Sequence, residues 1–429
     1  MRRLGVYGQA YLLAAVLFVA GLAVAYQFVQ PAPPDRLVMA TGPEDGAYRR
    51  YGEVYREVFQ RNGIELSLRA TAGSIENLRL LGDEQAGVGV ALIQGGLAEG
   101  QPHLQTMGGM FLEPLWVFTR IEPEPARLSE LAGRRLAVGA PDSGTHAQAL
   151  KLLRLSGVTD ANAELRAMST ADAKGALAAG EVDAVFLVGA ASADGVRELA
   201  AVPGARLMDF VQADGYAQTD RTIETAVLAR GAFDFARDIP DRPTRLPATT
   251  ADLVVRADLH PALKDLLMVA AKEVHQAGSL FSPPGRYPAR YQTALPLAPE
   301  AARFYENGPG FLQRYLPFWA ANLVDRTAVL LIPLLTILIP LIRLLPPVVT
   351  WQIQSRVYRW YGRLIEIEGV AASGDSSQLA AAEQELGRLD REISRIRVPV
   401  SYNYLVYRLR SHLDLVRHRL EEQKRRLAA

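Results

Sequence analysis

The chain of 429 residues contains no cysteine. Without thiols it can have no disulfide framework, no cysteine-ligated zinc and no thiol catalysis. Histidine is also scarce, with six in the chain, and none of them belongs to an H-E-x-x-H run. The two histidines nearest in sequence, His412 and His418, lie six positions apart on a predicted helix. We therefore expect no metal site.

The sequence also lacks the short motifs of common enzymes. No G-x-x-x-x-G-K-[ST] run is present, which excludes the ordinary phosphate-binding loop. Ser143 and His146 lie three positions apart, and a hydrolase would need such a nucleophile with a base in reach. The surrounding GAPDSG does not form the G-x-S-x-G turn that exposes a nucleophile. We expect no catalytic residue, no cofactor and no enzymatic activity.

The net charge of +1 conceals a difference between two parts of the chain. Residues 343–429 carry 15 Lys and Arg against 10 Asp and Glu, whereas residues 4–342 carry 30 against 36. The basic residues of the tail alternate with acids and apolar positions, so solvated helix faces or anionic lipid headgroups fit them better than nucleic acid does. No nucleic-acid partner is expected.

Two apolar runs have the length of membrane spans. Tyr11–Val29 carries no charge and has about the 20 residues that a bilayer crossing needs. The AVA stretch at 23–25 suits a signal peptidase, so residues 1–30 are predicted to be an uncleaved transmembrane anchor or a cleaved signal, and the continuing apolar run favours the anchor. The second run, Ala328–Ile342, predicts a transmembrane helix over 326–349, with a buried core helix as the alternative.

Arginines flank both runs on the side away from the middle of the chain. Arg2 and Arg3 precede the first run, and Arg343 and Arg356 follow the second. By the positive-inside tendency both termini are cytoplasmic if the first span stays uncleaved, and residues 31–325 lie outside. The predicted location is the bacterial cytoplasmic membrane, with an extracytoplasmic, periplasmic domain.

The length suggests two or three folded units, and the segment between the two runs partly repeats itself. LVMATGPEDG, starting at Leu37, is an apolar strand that leads through a glycine-containing loop into a helix, and LAVGAPDSG, starting at Leu136, does the same. A turn-then-strand unit follows each of them, at 82–93 and at 180–189. Short apolar strands that alternate with helices predict an α/β fold with two parallel sheets.

We expect the two sheets to form two lobes. The pair Glu113-Pro114 leads into LWVFTR, Leu115–Arg120, a strand predicted to cross from one lobe to the other. The first lobe is assigned to residues 36–120 and 246–300, because a proline-rich stretch marks the return of the chain. The second lobe is assigned to residues 121–245.

Helical heptads dominate residues 350–429, the predicted cytoplasmic tail. Apolar residues recur there at alternating spacings of three and four, which predicts a coiled-coil-like set of helices packed through apolar seams. The stretches are short, so a hairpin within the chain is favoured over self-association between subunits. The seams contain Ile353, Val357, Trp360, Leu364, Ile367, Leu379, Ala382, Leu386, Leu389, Ile393, Ile396, Val406, Leu409, Leu413, Val416 and Leu420.

Ligands of open α/β sheets bind beyond the carboxyl ends of the strands, where loops lead into helices. The run TAGSIENLRLL allows two interpretations: Ser74 only caps a helix, or the open helix start binds an anion. If the lobes face each other, several helix starts converge on one cleft that can hold a small carboxylate without a salt bridge. The candidate ligand-binding residues from this argument are Thr41, Gly42, Tyr48, Gly73, Ser74, Asn77, Ser143, Gly144 and Thr145.

Four motifs occur in order along this region: ATGPEDGAYRRYG (Ala40–Gly52), TAGSIENLRLL (Thr71–Leu81), VALIQGG (Val90–Gly96) and LAGRRLAVGAPDSGT (Leu131–Thr145). In this combination the chain resembles the TAXI family of extracytoplasmic solute-binding proteins, which serve TRAP-type transporters. The resemblance covers roughly residues 36–280. It implies a type II periplasmic-binding-protein fold whose lobes close on a small organic acid or amino acid, with ligand contacts at Gln94 and at Thr41, Gly42, Tyr48, Ser74, Asn77, Ser143 and Thr145.

Two features depart from that family. Its first loop is usually glycine-rich and uncharged, whereas Pro43, Glu44 and Asp45 stand in this one. Acids beside the cleft would repel a carboxylate unless they point away, or they select an amino group. A second span and a cytoplasmic helical tail are also absent from typical members.

The predicted function is binding of a small organic acid or amino acid by a membrane-tethered domain, for uptake through a TRAP-type permease. The alternative is a transmembrane sensor or adaptor, in which ligand closure outside re-registers the helices inside and alters a cytoplasmic signalling partner. The tail is the reason for this alternative, because a delivery protein has no evident use for it. A structural adaptor with a vestigial site is the third interpretation.

Overall fold

The structure of the protein is a computed structural model. It describes residues 15–16, 18–21, 23–24, 26–27, 31–291, 294–312, 315–373, 376–396 and 398–428. Two compact units are present: a larger unit, Pro31–Leu323, and a smaller unit that comprises Met1–Gln30 and Val324–Ala429. The first predicted span, residues 1–30, lies mostly outside the described residues.

The larger unit alternates strands with helices, as the sequence repeat predicts. Its strands are β1 (Arg36–Ala40), β2 (Glu65–Arg69), β3 (Val90–Gln94), β4 (Leu104–Thr119), β5 (Arg135–Ala137), β6 (Glu164–Arg166), β7 (Ala184–Val188), β8 (Arg206–Leu207), β9 (Glu224–Leu228) and β10 (Thr244–Arg256). Its helices are α1 (Ala47–Arg61), α2 (Ser74–Gly82), α3 (Gly144–Leu155), α4 (Thr170–Ala179), α5 (Asp194–Ala200), α6 (Ala213–Thr219), α7 (Pro261–His275) and α8 (Pro299–Asn307).

The strands form two sheet regions that share β4. In the first region β1 lies in parallel between β2 and β3, and β10 runs antiparallel between β3 and β4. In the second region β7 is antiparallel to β4, and β5 lies in parallel between β7 and β6. β4 pairs with β10 up to Pro114 and with β7 from Leu115 onward, so the chain passes from one region to the other there. We call the first region with α1, α2 and α7 lobe 1, and the second with α3, α4 and α5 lobe 2.

The burial pattern shows why these segments form sheets with helices packed on them. All five residues of β3 are buried, as expected for a strand inside a sheet that helices cover. α1 buries Tyr48, Tyr55 and Phe59, which recur at helical spacing along one face. The loops after β1, β2 and β5 lead into α1, α2 and α3, so these helix starts lie at the carboxyl ends of parallel strands.

Two strands extend beyond the prediction. β4 begins at Leu104, in a stretch for which no strand was predicted, and β10 begins at Thr244 and includes Pro247, where the prediction placed an interruption. At Pro247 the paired neighbour is β9, and the pairing with β4 begins at Ala248. At Pro247 only one side of β10 is paired with another strand. A proline can occupy this position because no N–H is needed on the unpaired side.

The C-terminal part of the chain forms α9 (Phe318–Ser373), α10 (Ser376–Ile393) and α11 (Asn403–Ala428). Apolar seams from all three helices are buried in one cluster, so the helices fold against one another within one chain, as the hairpin interpretation predicts. Coiled-coil geometry and self-association stay predictions. The cluster includes Ile353, Val357, Leu364, Ile367, Leu379, Ala382, Leu386, Leu389, Ile393, Leu405, Leu409, Leu413, Val416 and Leu420.

The second predicted span, residues 326–349, falls within α9. Across the parts of the chain that the structure describes, no helix combines the length and the apolar character that a bilayer crossing demands. α9 continues beyond this segment to Ser373.

Candidate functional site

A cavity of about 210 Å³ lies between lobe 1 and lobe 2. Lobe 1 contributes residues of the loops that enter α1 and α2, together with Gln94 at the end of β3. Lobe 2 contributes residues of the loops that enter α3, α4 and α5, and the end of β7. Glu113, on the strand that the lobes share, completes the wall. Both lobes therefore face one cleft, as expected from the repeat.

Four helices of at least nine residues begin at this cavity. Ala47, Ser74, Gly144 and Thr170 are the first residues of α1, α2, α3 and α4, and all four line it. The N–H groups of a first helical turn have no partner within the helix, and the helix dipole places partial positive charge there. Their convergence makes the cavity favourable for negative charge.

Two glycines allow the lobes to approach each other. Gly73 has φ of 131°, and a Cβ atom built on it would lie 3.3 Å from Cα of Ser143 in the other lobe. A Cβ atom on Gly144 would lie 2.4 Å from Oε1 of Gln94 and 3.0 Å from Oγ of Ser74. The N–H of Ile75 also donates to the carbonyl of Asp142 across the gap, at 3.2 Å. The lobes are thus in contact beside the cavity, and larger residues would hold them apart.

Gln94 carries an unused hydrogen-bond donor. The residue is only 2% exposed, and its Nε2 has no hydrogen-bond partner in the structure. Its backbone N–H donates to Oγ of Ser74 at 3.0 Å, which anchors the end of β3 to the start of α2. A buried donor left unpaired costs about 1–3 kcal/mol. Because Gln94 lines the cavity, a ligand oxygen that reached its side-chain amide would satisfy this donor.

Glu113 and Tyr48 form a buried pair beside the cavity. The phenol O–H of Tyr48 donates to Oε2 of Glu113 at 2.6 Å. Burial raises the pKa of Glu113 to about 8, and the neighbouring carboxyl of Asp252 adds to this. Burial, with the charge of Glu113, also holds the pKa of Tyr48 well above its ordinary value. Glu113 is therefore mostly protonated at neutral pH.

Eight of the ten predicted site residues line the cavity: Gly42, Tyr48, Gly73, Ser74, Gln94, Ser143, Gly144 and Thr145. The other two, Thr41 and Asn77, lie behind the wall and are fully buried. Asn77 Nδ2 donates to the carbonyls of Thr41 at 2.5 Å and Leu92 at 2.9 Å, and Thr41 Oγ1 donates to the carbonyl of Arg69. These two residues hold the loops of lobe 1 together and do not reach the cavity.

The hydroxyl groups at the helix starts differ in what they do. Ser74 does not cap α2, whose N-cap is Gly73, so the interpretation of Ser74 as a simple cap is wrong. Ser143 does cap α3: its Oγ accepts the N–H of His146 at 3.1 Å and donates to the carbonyl of Ala140. The contact between Ser143 and His146 is therefore a helix cap and not a catalytic pair.

Sequence reasoning missed several residues of this wall. Glu113 was noted only as the start of a crossing strand, although a single acid inside the apolar stretch MGGMFLEPLWVF is a usable signal. Ser169 and Thr170 line the cavity at the start of α4, and Ser169 caps that helix through the N–H of Asp172. Of the two acids in the first loop, the exposed Asp45 lines the cavity.

Two features that could serve chemistry at this site, a metal-binding cluster and a basic side chain in the wall, are not found in the described part of the chain. Among the residues that the structure describes, no cluster of three or more His, Asp or Glu side chains could hold a metal ion. None of the residues lining the cavity is lysine, arginine or histidine. Recognition of an anion would therefore depend on neutral donors and helix starts.

The larger unit has a two-lobed α/β architecture. Residues 39–308 match the NMT1-like family, and the chain belongs to that family. It is similar to the periplasmic aliphatic sulphonate binding protein SsuA from Escherichia coli, with 14% identity and a TM-score of 0.36 over 56% of this chain and 69% of that one. It is also similar to the alkanesulfonate-binding protein SsuA from Xanthomonas axonopodis pv. citri, with 16% identity and a TM-score of 0.37. That match covers 57% of this chain and 74% of the other. A third similar structure is an ancestral arginine-binding protein bound to arginine, with 12% identity and a TM-score of 0.38. That match covers 58% of this chain and 96% of the other.

Proposed function

We propose that the larger unit is a solute-binding domain that closes its two lobes on a small carboxylate-bearing molecule, an organic acid or an amino acid. One observation carries this proposal: four helix starts and Gln94, whose side-chain Nε2 is unpaired, line a single cavity to which both lobes contribute. Each helix start contributes roughly 0.3–1 kcal/mol toward an anion. The ligand is bound and not transformed.

For the larger context we propose tethering to the cytoplasmic membrane and delivery to a TRAP-type permease. The apolar runs 11–29 and 328–342 support a tether at the level of sequence. The motifs shared with the TAXI family support the transport role. In this proposal the larger unit lies outside the membrane, where it meets the ligand.

The second candidate function is a ligand sensor or adaptor. The observation that favours it is the smaller unit, in which three helices share one buried apolar core. A cytoplasmic partner would distinguish ligand-free from ligand-bound protein if ligand binding changed the relative stability of two arrangements of these helices. Loss of uptake on deletion of the gene supports transport. A partner whose binding depends on ligand and on Leu386 or Leu413 supports sensing.

The binding proposal is tested by thermal unfolding of the full-length protein with panels of small organic acids, amino acids and sulfonates. A ligand at 100 times its Kd stabilises the folded state by about 2.7 kcal/mol. Ser143→Trp would fill the cavity and should abolish the stabilisation. Ser129→Trp, at an exposed serine of lobe 2 away from the cavity, is the matched control and should retain it. Equal stabilisation of both variants would contradict the assignment of this cavity.

A further inference from the structure

We propose that Glu113 is held neutral, donates a hydrogen bond to the carboxylate of the ligand, and so makes the site selective for acids that carry no ammonium group. This inference rests on the proposed function, because it concerns the same cavity. It narrows the ligand class to small carboxylic acids such as 2-oxo and 2-hydroxy acids.

Tyr48 is the hydrogen-bond partner that fixes Glu113 beside the cavity. Tyr48 donates its O–H to Oε2 of Glu113 at 2.6 Å, so the phenol hydrogen is used in this bond. At the neighbouring end of β3, the backbone N–H of Gln94 donates to Oγ of Ser74. A neutral Glu113 then has its own O–H available to donate into the cavity that it lines.

Within the described part of the chain, no neighbouring cation stabilises an ionised Glu113. α1 presents Tyr48 and Tyr51 toward it, and β10 presents the buried Asp252, whose carboxyl accepts from Thr250 Oγ1 at 2.7 Å. Arg50 on α1 is instead bound to Asp194 and to the carbonyl of Ser192. Burial raises the pKa of Glu113 to about 8 and that of Asp252 to about 7. The carboxyl of Glu113 therefore keeps its proton at neutral pH.

The same surroundings disfavour an ammonium group on the ligand. An ammonium needs an ionised carboxylate or several acceptor oxygens, whereas the starts of α1 to α4 present N–H donors and partial positive charge. Gln94 adds a further unpaired donor, Nε2. A carboxylate gains from each of these groups, while the amino group of an amino acid would meet them unfavourably. Asp45 also lines the cavity, but it is exposed in the first loop, where water screens its contact with an ammonium group.

Binding measured against pH tests the inference on the full-length protein. Pyruvate, lactate, propionate and alanine are the probes, titrated by calorimetry from pH 6 to pH 10. The three acids without an ammonium group should bind with nearly constant Kd below pH 7. Above pH 8 their Kd should rise about tenfold per pH unit, because Glu113 then loses its proton. Alanine should bind at least tenfold more weakly than propionate at pH 7.

Three variants separate the donor role from a structural one. Glu113→Gln keeps a neutral donor, so it should hold the affinity of the wild type at pH 7 and remove the rise in Kd up to pH 10. Glu113→Ala removes the donor and should weaken binding of the acids at least tenfold at pH 7. Glu44→Gln changes an exposed acid of the first loop that does not line the cavity, and it should keep the pH profile of the wild type.

Two results would overturn the inference, and they differ in what they say about the proposed function. Preferred binding of alanine, or a rise in Kd with pH that persists in Glu113→Gln, refutes the neutral donor while leaving a ligand-binding cavity. If no carboxylate or sulfonate binds any form of the protein at any pH, both the inference about Glu113 and the proposed solute-binding function are refuted.

Discussion

Replacing Glu113 by glutamine should abolish a large part of the loss of stability that the larger unit undergoes as the pH rises from about 4.5 to about 8. The pKa of this carboxyl is about 8 in the folded protein against 4.5 in an unfolded chain. Between these two values the folded chain holds a proton that the unfolded chain has released. The free energy of unfolding therefore falls as the pH rises through this window, and the loss is complete above pH 8.

The size of the effect follows from the width of the window. Three to four pH units at about 1.4 kcal/mol each give a loss of roughly 4–5 kcal/mol between pH 4.5 and pH 9. For the roughly 290 residues of the larger unit, the entropy of unfolding is about 0.6 kcal/mol/K, so the melting temperature should fall by about 8 °C. Glutamine carries no proton to lose, and its variant should be more stable than the wild type at pH 9 by most of this amount.

Circular dichroism melts at pH 5, 7 and 9, without ligand, provide the measurement. Asp252 has a folded pKa of about 7 and adds a similar slope at lower pH, so the difference between wild type and Glu113→Gln isolates the contribution of Glu113. Glu44→Gln, at an exposed acid, should follow the wild type. If the wild type is equally stable at pH 5 and pH 9, or if the glutamine variant loses as much stability as the wild type, the buried carboxyl is not protonated as argued.

Three further substitutions test the wall of the cavity and the tail. Gly144→Ala places Cβ 2.4 Å from Gln94 Oε1 and should weaken ligand binding at least tenfold by calorimetry; Gly175→Ala, whose Cβ has nothing within 4 Å, should not, and equal affinities would refute the close approach. Asn77→Ala removes buried hydrogen bonds and should lower the free energy of unfolding of the larger unit by about 3 kcal/mol in urea titrations; a change below about 1 kcal/mol would contradict this role. Leu413→Ala, at a residue 1% exposed, should destabilise the helical core by about 2–5 kcal/mol, whereas Leu415→Ala, 46% exposed, should be near neutral, and similar losses would contradict the packing.

The cavity shows which parts of a binding site a sequence can reveal. The starts of α1, α2 and α3 were predicted because strand, loop and helix are continuous in sequence and the pattern recurs at Leu37 and Leu136. Thr41 and Asn77 share those loops with the lining residues, and composition cannot distinguish a hydroxyl that faces a cavity from one that ties a loop from behind. That distinction depends on the direction of each side chain, which only the packed lobe determines.

Glu113 shows a property of the site that the sequence does not reveal. Its neighbours in sequence predict a strand, but its pKa depends on burial beside Tyr48 and Asp252, residues 65 and 139 positions away in the chain. Ser74 is a similar case, since its hydroxyl bonds to the backbone of Gln94 and leaves the capping of its own helix to Gly73. Such roles arise when distant segments exclude water together, and no local pattern records them.

The sequence alone therefore determined the alternation of strands and helices, the repeat that makes two lobes and the apolar seams of the tail, because each of these depends on the local spacing of apolar residues. The tertiary structure decided which residues enclose the cavity, which carboxyl keeps its proton and how the tail helices pair. Those properties depend on distances and dielectric surroundings that exist only after the lobes and helices have packed.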